Sequence, residues 1–231
     1  MIVYKNLVFL HGWGNSSEVF GPLLYYLKDT FSIYTLDLPG FGKSPIKRPI
    51  TLKDYADFVY EFIRDNNIRE PILVGHSFGG AVAAKLAILH PEIISKLILV
   101  DASAIRESNL KTELSIKIAG IFKYFLPKKT REFILKLFKF DTSDYALIVN
   151  PHLKETFRNI ISENLAPELP LIKTPVLVIW GEKDIETPLK EGRLIAKLIP
   201  NAKLSVIKNA GHHVFLEKPE EFIKQIKEFT Y

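Results

Sequence analysis

Apolar runs of strand length recur along the chain at Leu7–Leu10, Ser32–Leu36, Ile72–Gly75, Lys96–Val100, Val176–Trp180 and Lys203–Val206, most of them without polar alternation. Strands buried on both faces read this way, because neither face of the sheet meets water. Between the runs the period changes to that of helices, over Glu18–Leu27, Leu52–Asn66, Gly79–His90, Leu189–Ile199 and Glu220–Tyr231. Leu52–Asn66 is the clearest of these. Leu52, Tyr55, Val59, Phe62 and Ile63 share one face, and Thr51 with Asp54 makes a capping-box pattern ahead of it. Strand and helix alternate, which predicts an α/β fold: a mostly parallel sheet flanked by helices.

The alternation breaks between Ala104 and Pro170. There the helical stretches Leu110–Leu126, Thr130–Phe140 and Pro151–Ala166 follow one another without a strand. The pattern predicts a helical cap over 104–170, inserted into a core made of 1–103 and 171–231. Its place between two strands puts it over the carboxyl edge of the sheet, where open α/β sheets bind ligands. Phe122, Phe125, Phe133, Leu137 and Phe138 give this cap its apolar content. Most of them are expected to pack the cap itself, with Phe122 and Phe125 the candidates for contact with an apolar ligand.

Composition narrows the picture. With 231 residues, 47% hydrophobic and 25% charged, the chain can bury one large core, and disorder is not indicated. The absence of cysteine removes disulfides, thiolate metal sites and a sulfur nucleophile. The formal net charge of +5 is concentrated in 106–139, where nine Lys/Arg face three Asp/Glu. Basic tracts can meet nucleic acid, membrane surfaces or acidic proteins, but a Lys-rich helix face is usually just solvated; only with the family resemblance given below does an acidic acyl carrier protein become the partner it would suit. The opening MIVYKNLVFLHG, with Gly12 and Gly14 directly after it, fits neither a secretory signal nor a membrane span, so a cytoplasmic protein is expected. No nucleic-acid partner is expected.

The chemistry begins at Gly75-His76-Ser77-Phe78-Gly79, a G-x-S-x-G pattern between a strand and a helix. Such a turn strains the serine backbone, lifts its hydroxyl over the sheet edge and sets a helix N-terminus behind it. A helix-capping serine in a glycine-rich turn would look the same. A nucleophile needs in addition a base, an orienting acid and oxyanion donors. The base is sought in the loop NAGHHVFLEKPEEF, where His212 is favoured over its neighbour His213. The acid is Asp184, at the turn after the strand ending in Trp180, with Asp101 the competitor at the end of LILVD. Glu182 and Glu186 are expected to face solvent. The N–H groups of Trp13, in HGWG, and of Phe78 are the oxyanion donors, with His11, Gly12 and His76 close to the substrate.

Two cofactor patterns are imitated and fail. Gly12-x-Gly14-x-x-Ser17 followed by a strand ending at Asp37 has serine in place of the third glycine or alanine of a dinucleotide site, and GFGKS lacks the first P-loop glycine, whose place is taken by Asp37. No cofactor is expected. No zinc spacing accompanies His212 and His213, so no metal is expected either.

HGWG at 11–14, DLPGFGKS at 37–44, GHSFGG at 75–80, WGEKD at 180–184 and GHHVFLEKPEEF at 211–222 together resemble the α/β-hydrolase superfamily over essentially the whole chain. The resemblance implies Ser77 as nucleophile, Asp184 as acid, His212 as base, an oxyanion hole at Trp13 and Phe78, and a helical cap. HGWG with DLPGFGKS is most similar to the carboxylesterases that cleave methyl esters of carrier-bound pimeloyl chains. Those enzymes typically carry Trp before the serine. His76 stands there in this chain, as in many lipase-like and ring-fission members. The N-terminal hairpin of the family is expected to be reduced to Met1–Lys5. The expected activity is cleavage of a carboxylic ester or thioester of an apolar acyl chain through an acyl-enzyme. A C–C bond hydrolase or lyase and a slow-turnover ligand receptor are the alternatives on the same residues.

Overall fold

In the computed structural model the described residues are 4–105 and 148–231. Six strands, β1 (Lys5–Leu10), β2 (Phe31–Leu36), β3 (Ile72–His76), β4 (Lys96–Val100), β5 (Val176–Gly181) and β6 (Ala202–Ile207), form one sheet in the order β2-β1-β3-β4-β5-β6. Every pairing is parallel, so all six carboxyl ends open on one edge. The chain first steps outward from β1 to β2, then returns to β3 on the other side of β1 and continues across. The reversal between β1 and β3 is where such sheets leave a crevice.

Alternate strand residues feed two cores. Val8, Leu10, Leu73, Leu97, Leu99, Val176, Val178 and Trp180 pack with helices α2 (Leu52–Asp65), α3 (Phe78–Leu89) and α5 (Leu189–Leu198). Leu7, Phe9, Ile72, Val74, Ile98, Val100, Leu177 and Ile179 pack with α1 (Gly21–Leu27) and α7 (Pro219–Thr230). The apolar runs of the central strands are thereby explained: β3 and β5 are buried at every residue. At the edge, β6 exposes Lys203 and Leu204, and a lysine on an edge strand discourages pairing with another sheet.

Helix α3 is buried on nearly all sides, with Ala81, Ala83, Ala84 and Ala87 letting it lie close between α2 and the sheet. The predicted capping box at α2 is present in both halves: Thr51 Oγ1 accepts from the Asp54 N–H at 3.2 Å, and Asp54 Oδ2 accepts from the Thr51 N–H at 2.8 Å. The stretch expected as one helix over Glu18–Leu27 divides into a 3₁₀ turn (Ser17–Phe20) and α1, because Pro22 starts a new helix at a position where its missing N–H costs nothing. A short helix α6 (Val214–Glu217) interrupts the loop before α7.

Of the expected cap, helix α4 (Pro151–Ser162) belongs to the described residues. It is joined to the core through Thr156 Oγ1, which accepts the Ile50 N–H at 3.0 Å, and through Lys85, 3.1 Å from Glu163 and 2.9 Å from Glu168. The stretches Leu110–Leu126 and Thr130–Phe140, with Phe122, Phe125, Phe133, Leu137 and Phe138, lie outside the described residues, as does most of Met1–Lys5. Among the described residues no helix is long and apolar enough to cross a membrane.

Candidate active site

Ser77 joins β3 to α3 with φ +51° and ψ −117°, a conformation that costs a residue with a side chain of order 1–3 kcal/mol and persists only where the surroundings impose it. The surroundings do so. The Ser77 N–H donates to the Val100 carbonyl at 2.9 Å, and its own carbonyl accepts from Gly80 at 2.9 Å and Ser103 at 3.0 Å. Gly79 lies so close to the Leu10 carbonyl, and Gly75 to the Gly79 carbonyl, that a Cβ on either would collide with backbone. The glycines of the pattern therefore answer to packing of strand, turn and helix, and the hydroxyl of Ser77 is left half-buried at the sheet edge.

Beside it lies the loop after β1. A Cβ built on Gly12 would stand 3.1 Å from His76 Nδ1 and 3.3 Å from the Ser77 Cβ, so the loop packs tightly against the turn and a side chain at position 12 would have to push a neighbour aside. His11 and Asp37 hold this loop from below. Leu38 donates to His11 Nε2 at 3.0 Å and His11 Nδ1 donates to the Gly12 carbonyl at 2.8 Å. Asp37 accepts from the Ser17 and Lys43 N–H groups, both at 2.8 Å. Burial draws the His11 pKa down, so the ring is neutral and able to accept. The backbone N–H groups of Trp13 and Phe78 donate to no acceptor among the described residues. Above them the Trp13 ring makes edge contacts with Phe41, Phe78 and, from α4, Phe157, at centroid distances of 4.8, 5.3 and 5.0 Å.

The other side is polar and closed. The loops after β5 and β6 bring Asp184 and His212 together, with His212 Nδ1 2.8 Å from Asp184 Oδ2. A carboxylate only accepts, so Nδ1 carries the proton and Nε2 keeps the lone pair a base requires. Asp184 also accepts from the N–H groups of Glu186 at 2.8 Å and Thr187 at 3.0 Å, and from the Thr187 hydroxyl at 2.7 Å. Burial pushes its pKa up, but the hydrogen bonds from His212 and Thr187 outweigh that and hold it below the usual carboxylate range. The loop is pinned by Trp180, whose indole donates to the Thr187 carbonyl at 2.7 Å.

His76 links the two sides. It is buried, and its Nε2 donates to the main-chain carbonyl of His212 at 2.8 Å, fixing the base loop against the turn that carries Ser77. Burial, reinforced by the neighbouring imidazole of His212, lowers its pKa to about 3, so it stays neutral.

The sequence candidates among the described residues lie on loops at one sheet edge, with differences, and Phe122 and Phe125 lie outside the described residues. His11 and His76, expected near substrate, are buried: both ring nitrogens of His11 and Nε2 of His76 bond to loops, while His76 Nδ1 has no partner among the described residues. His213 caps α6 with its carbonyl and makes no bond to Asp184. Glu186 is exposed as expected, yet its carboxylate stands 3.5 Å from His212 Nε2. Thr187 was not anticipated. The signal was present in Asp184-Ile185-Glu186-Thr187, because an Asp side chain that caps the N–H groups two and three residues on makes this kind of turn.

The alpha/beta hydrolase family matches residues 7–225. The chain is 30% identical over 245 residues to a pimeloyl-[acyl-carrier protein] methyl ester esterase of Neisseria meningitidis serogroup A, covering 98% of this chain and 77% of that protein. It is 28% identical over 246 residues to the protein of the same name in Wigglesworthia glossinidia brevipalpis, covering 97% and 93%. Among solved structures it is similar to an esterase from Exiguobacterium antarcticum, with a TM-score of 0.76, 22% identity, and 99% and 92% of the two chains covered. The chain belongs to the alpha/beta hydrolase family and is a hydrolase.

Proposed function

We propose that this member of the alpha/beta hydrolase family hydrolyses carboxylic esters or thioesters of apolar acyl chains through an acyl-enzyme on Ser77. His212 Nε2 takes the serine proton as Oγ bonds to the carbonyl carbon. The negative charge that forms on the carbonyl oxygen turns toward the vacant N–H groups of Trp13 and Phe78. The alcohol or thiol leaves with the proton from His212, and water, activated by the same nitrogen, then releases the acid. Asp184 holds the imidazole in the tautomer with its proton on Nδ1 and stabilises its charged form.

The observation that carries this reading is the 2.8 Å bond between His212 and Asp184, two residues of separate loops, in a base loop that His76 bonds to the strained turn carrying the serine. The aromatic group of Trp13, Phe41, Phe78 and Phe157 supports an apolar acyl side. His11 and His76 support the walls of the site from behind. The relatives' shared name makes a methyl ester on a carrier-bound pimeloyl chain the first substrate to try.

The test is labelling with an organophosphonate followed by intact mass, run beside p-nitrophenyl esters of increasing acyl length. One adduct, absent from Ser77→Ala, with turnover lost in the same variant, is expected. Turnover that survives Ser77→Ala sinks the proposal.

A further inference from the structure

Asp101 directly follows β4 with φ +44°, and its side chain is completely buried. Its Oδ1 accepts one hydrogen bond, from the Gly181 N–H at 2.8 Å, and its Oδ2 has no partner. The groups that face it are few. From β5 comes the Gly181 N–H; from α6 the Val214 N–H lies near but outside hydrogen-bonding geometry; α3 meets this turn with Gly80, which carries no charge. Among the described residues the charged group tied to this turn is the carboxylate of Asp184, since the Thr187 hydroxyl bridges Asp184 Oδ2 and the Asp101 carbonyl. Two ionised carboxylates side by side in a dry site repel each other, and one of them has a single donor to stabilise it.

Counting protons reaches the same point. Thr187 Oγ1 lies 2.7 Å from Asp184 Oδ2 and 3.0 Å from the Asp101 carbonyl, and it also lies 3.3 Å from His212 Nδ1. The hydroxyl has one proton and two acceptors to serve. With Asp101 Oδ2 also unpartnered, the group is a donor short. We propose that Asp101 keeps its proton and donates it to the Asp184 carboxylate, so that it acts as a positioning residue for the Asp184–His212 pair. Burial first, and then the charge of Asp184, push its pKa up to about 9, so the acid form persists through neutral pH. The inference rests on Asp184 being the acid that orients His212.

Protonation can be measured without turnover. With ¹³C-labelled aspartate, the Asp101 carboxyl carbon, assigned by its absence in Asp101→Asn, is expected to titrate near pH 9; a carbon already ionised at pH 6 overturns the proposal whatever the enzyme hydrolyses. Kinetics supply the second arm. Asn can donate to Asp184 and accept from Gly181, so Asp101→Asn should lose only about 3-fold in kcat, whereas Asp101→Ala should lose up to about 100-fold, the scale of a displaced catalytic group. Wild-type activity should fall above pH 9 and that fall should be absent in Asp101→Asn. An Asn variant as damaged as the Ala variant, or an Ala variant with wild-type kcat, would reject the hydrogen bond. Loss of turnover in Ser77→Ala tests the esterase reading alone and leaves the carbon titration untouched.

Discussion

The two sides of the site are built on opposite rules. On the acid side, Asp184, Thr187 and His212 are buried and hydrogen-bonded to one another, with Trp180 and Gly181 holding the loops behind them. On the serine side, the hydroxyl of Ser77 stands half-buried at the edge, two N–H groups wait without acceptors, and aromatic rings replace polar partners. The difference teaches where the protein has completed its own bonding and where it has left bonds to be made by something else. A group already satisfied contributes to stability, whereas an unsatisfied donor aimed at a vacant position is useful only when charge arrives there.

Breaking the open side should therefore cost activity without stability. Ser77→Ala is expected to lower kcat on a p-nitrophenyl ester by ~10⁴-fold or more with thermal stability nearly unchanged, as measured by steady-state kinetics and a melting curve on the same preparation. Breaking the closed side should cost both. Asp184→Asn is expected to lose about 10⁴ in kcat through the wrong imidazole tautomer, and Thr187→Val a smaller factor of roughly 10–100 together with about 1–3 kcal/mol in urea unfolding, because it strips a buried carboxylate of a donor. An activity loss in Thr187→Val with unaltered urea stability would erase the contrast between the two sides.

A third region sharpens the comparison by lying outside both. Thr51→Ala removes the α2 cap and should cost about 1 kcal/mol of stability with kcat unchanged. In the same cap, burial raises the Asp54 pKa, but hydrogen bonds from Thr51 and Arg48 prevail and bring it down to about 2. Its stabilising contribution is thus present above the ordinary carboxylate pKa of about 4 and is lost as pH falls from there toward about 2. Asp54→Asn should flatten that part of a stability-against-pH curve, the smallest of these effects because the side chain is partly exposed.

How much could be read from the chain varies with the range of the interaction. Uninterrupted apolar runs located the six strands and period-3.6 patterning the helices between them, because a strand buried on both faces leaves no polar position and burial on a helix face repeats at short intervals. The split at Pro22 and the short helix Val214–Glu217 carry no periodic signal, since a single turn leaves too few positions for a period to emerge. Ser77 and its glycines were legible because the constraint is local: the collisions at Gly75 and Gly79 come from the turn itself and the strand beside it.

The functions of His11, His76, Thr187 and Asp101 were not legible in that way. His76 and His212 are 136 positions apart, and Asp101 and Thr187 are 86 apart, yet each pair shares a hydrogen bond. A histidine that grips a backbone carbonyl and one that faces a substrate have the same letter and the same neighbours in sequence. By itself the sequence determined the class of fold, the order of its elements and the residue types at the sheet edge, because these follow from local patterning and from motifs of fixed spacing. Only the tertiary structure decided which side chains are satisfied and which are left open, since burial and proton counting depend on every loop that converges on a site.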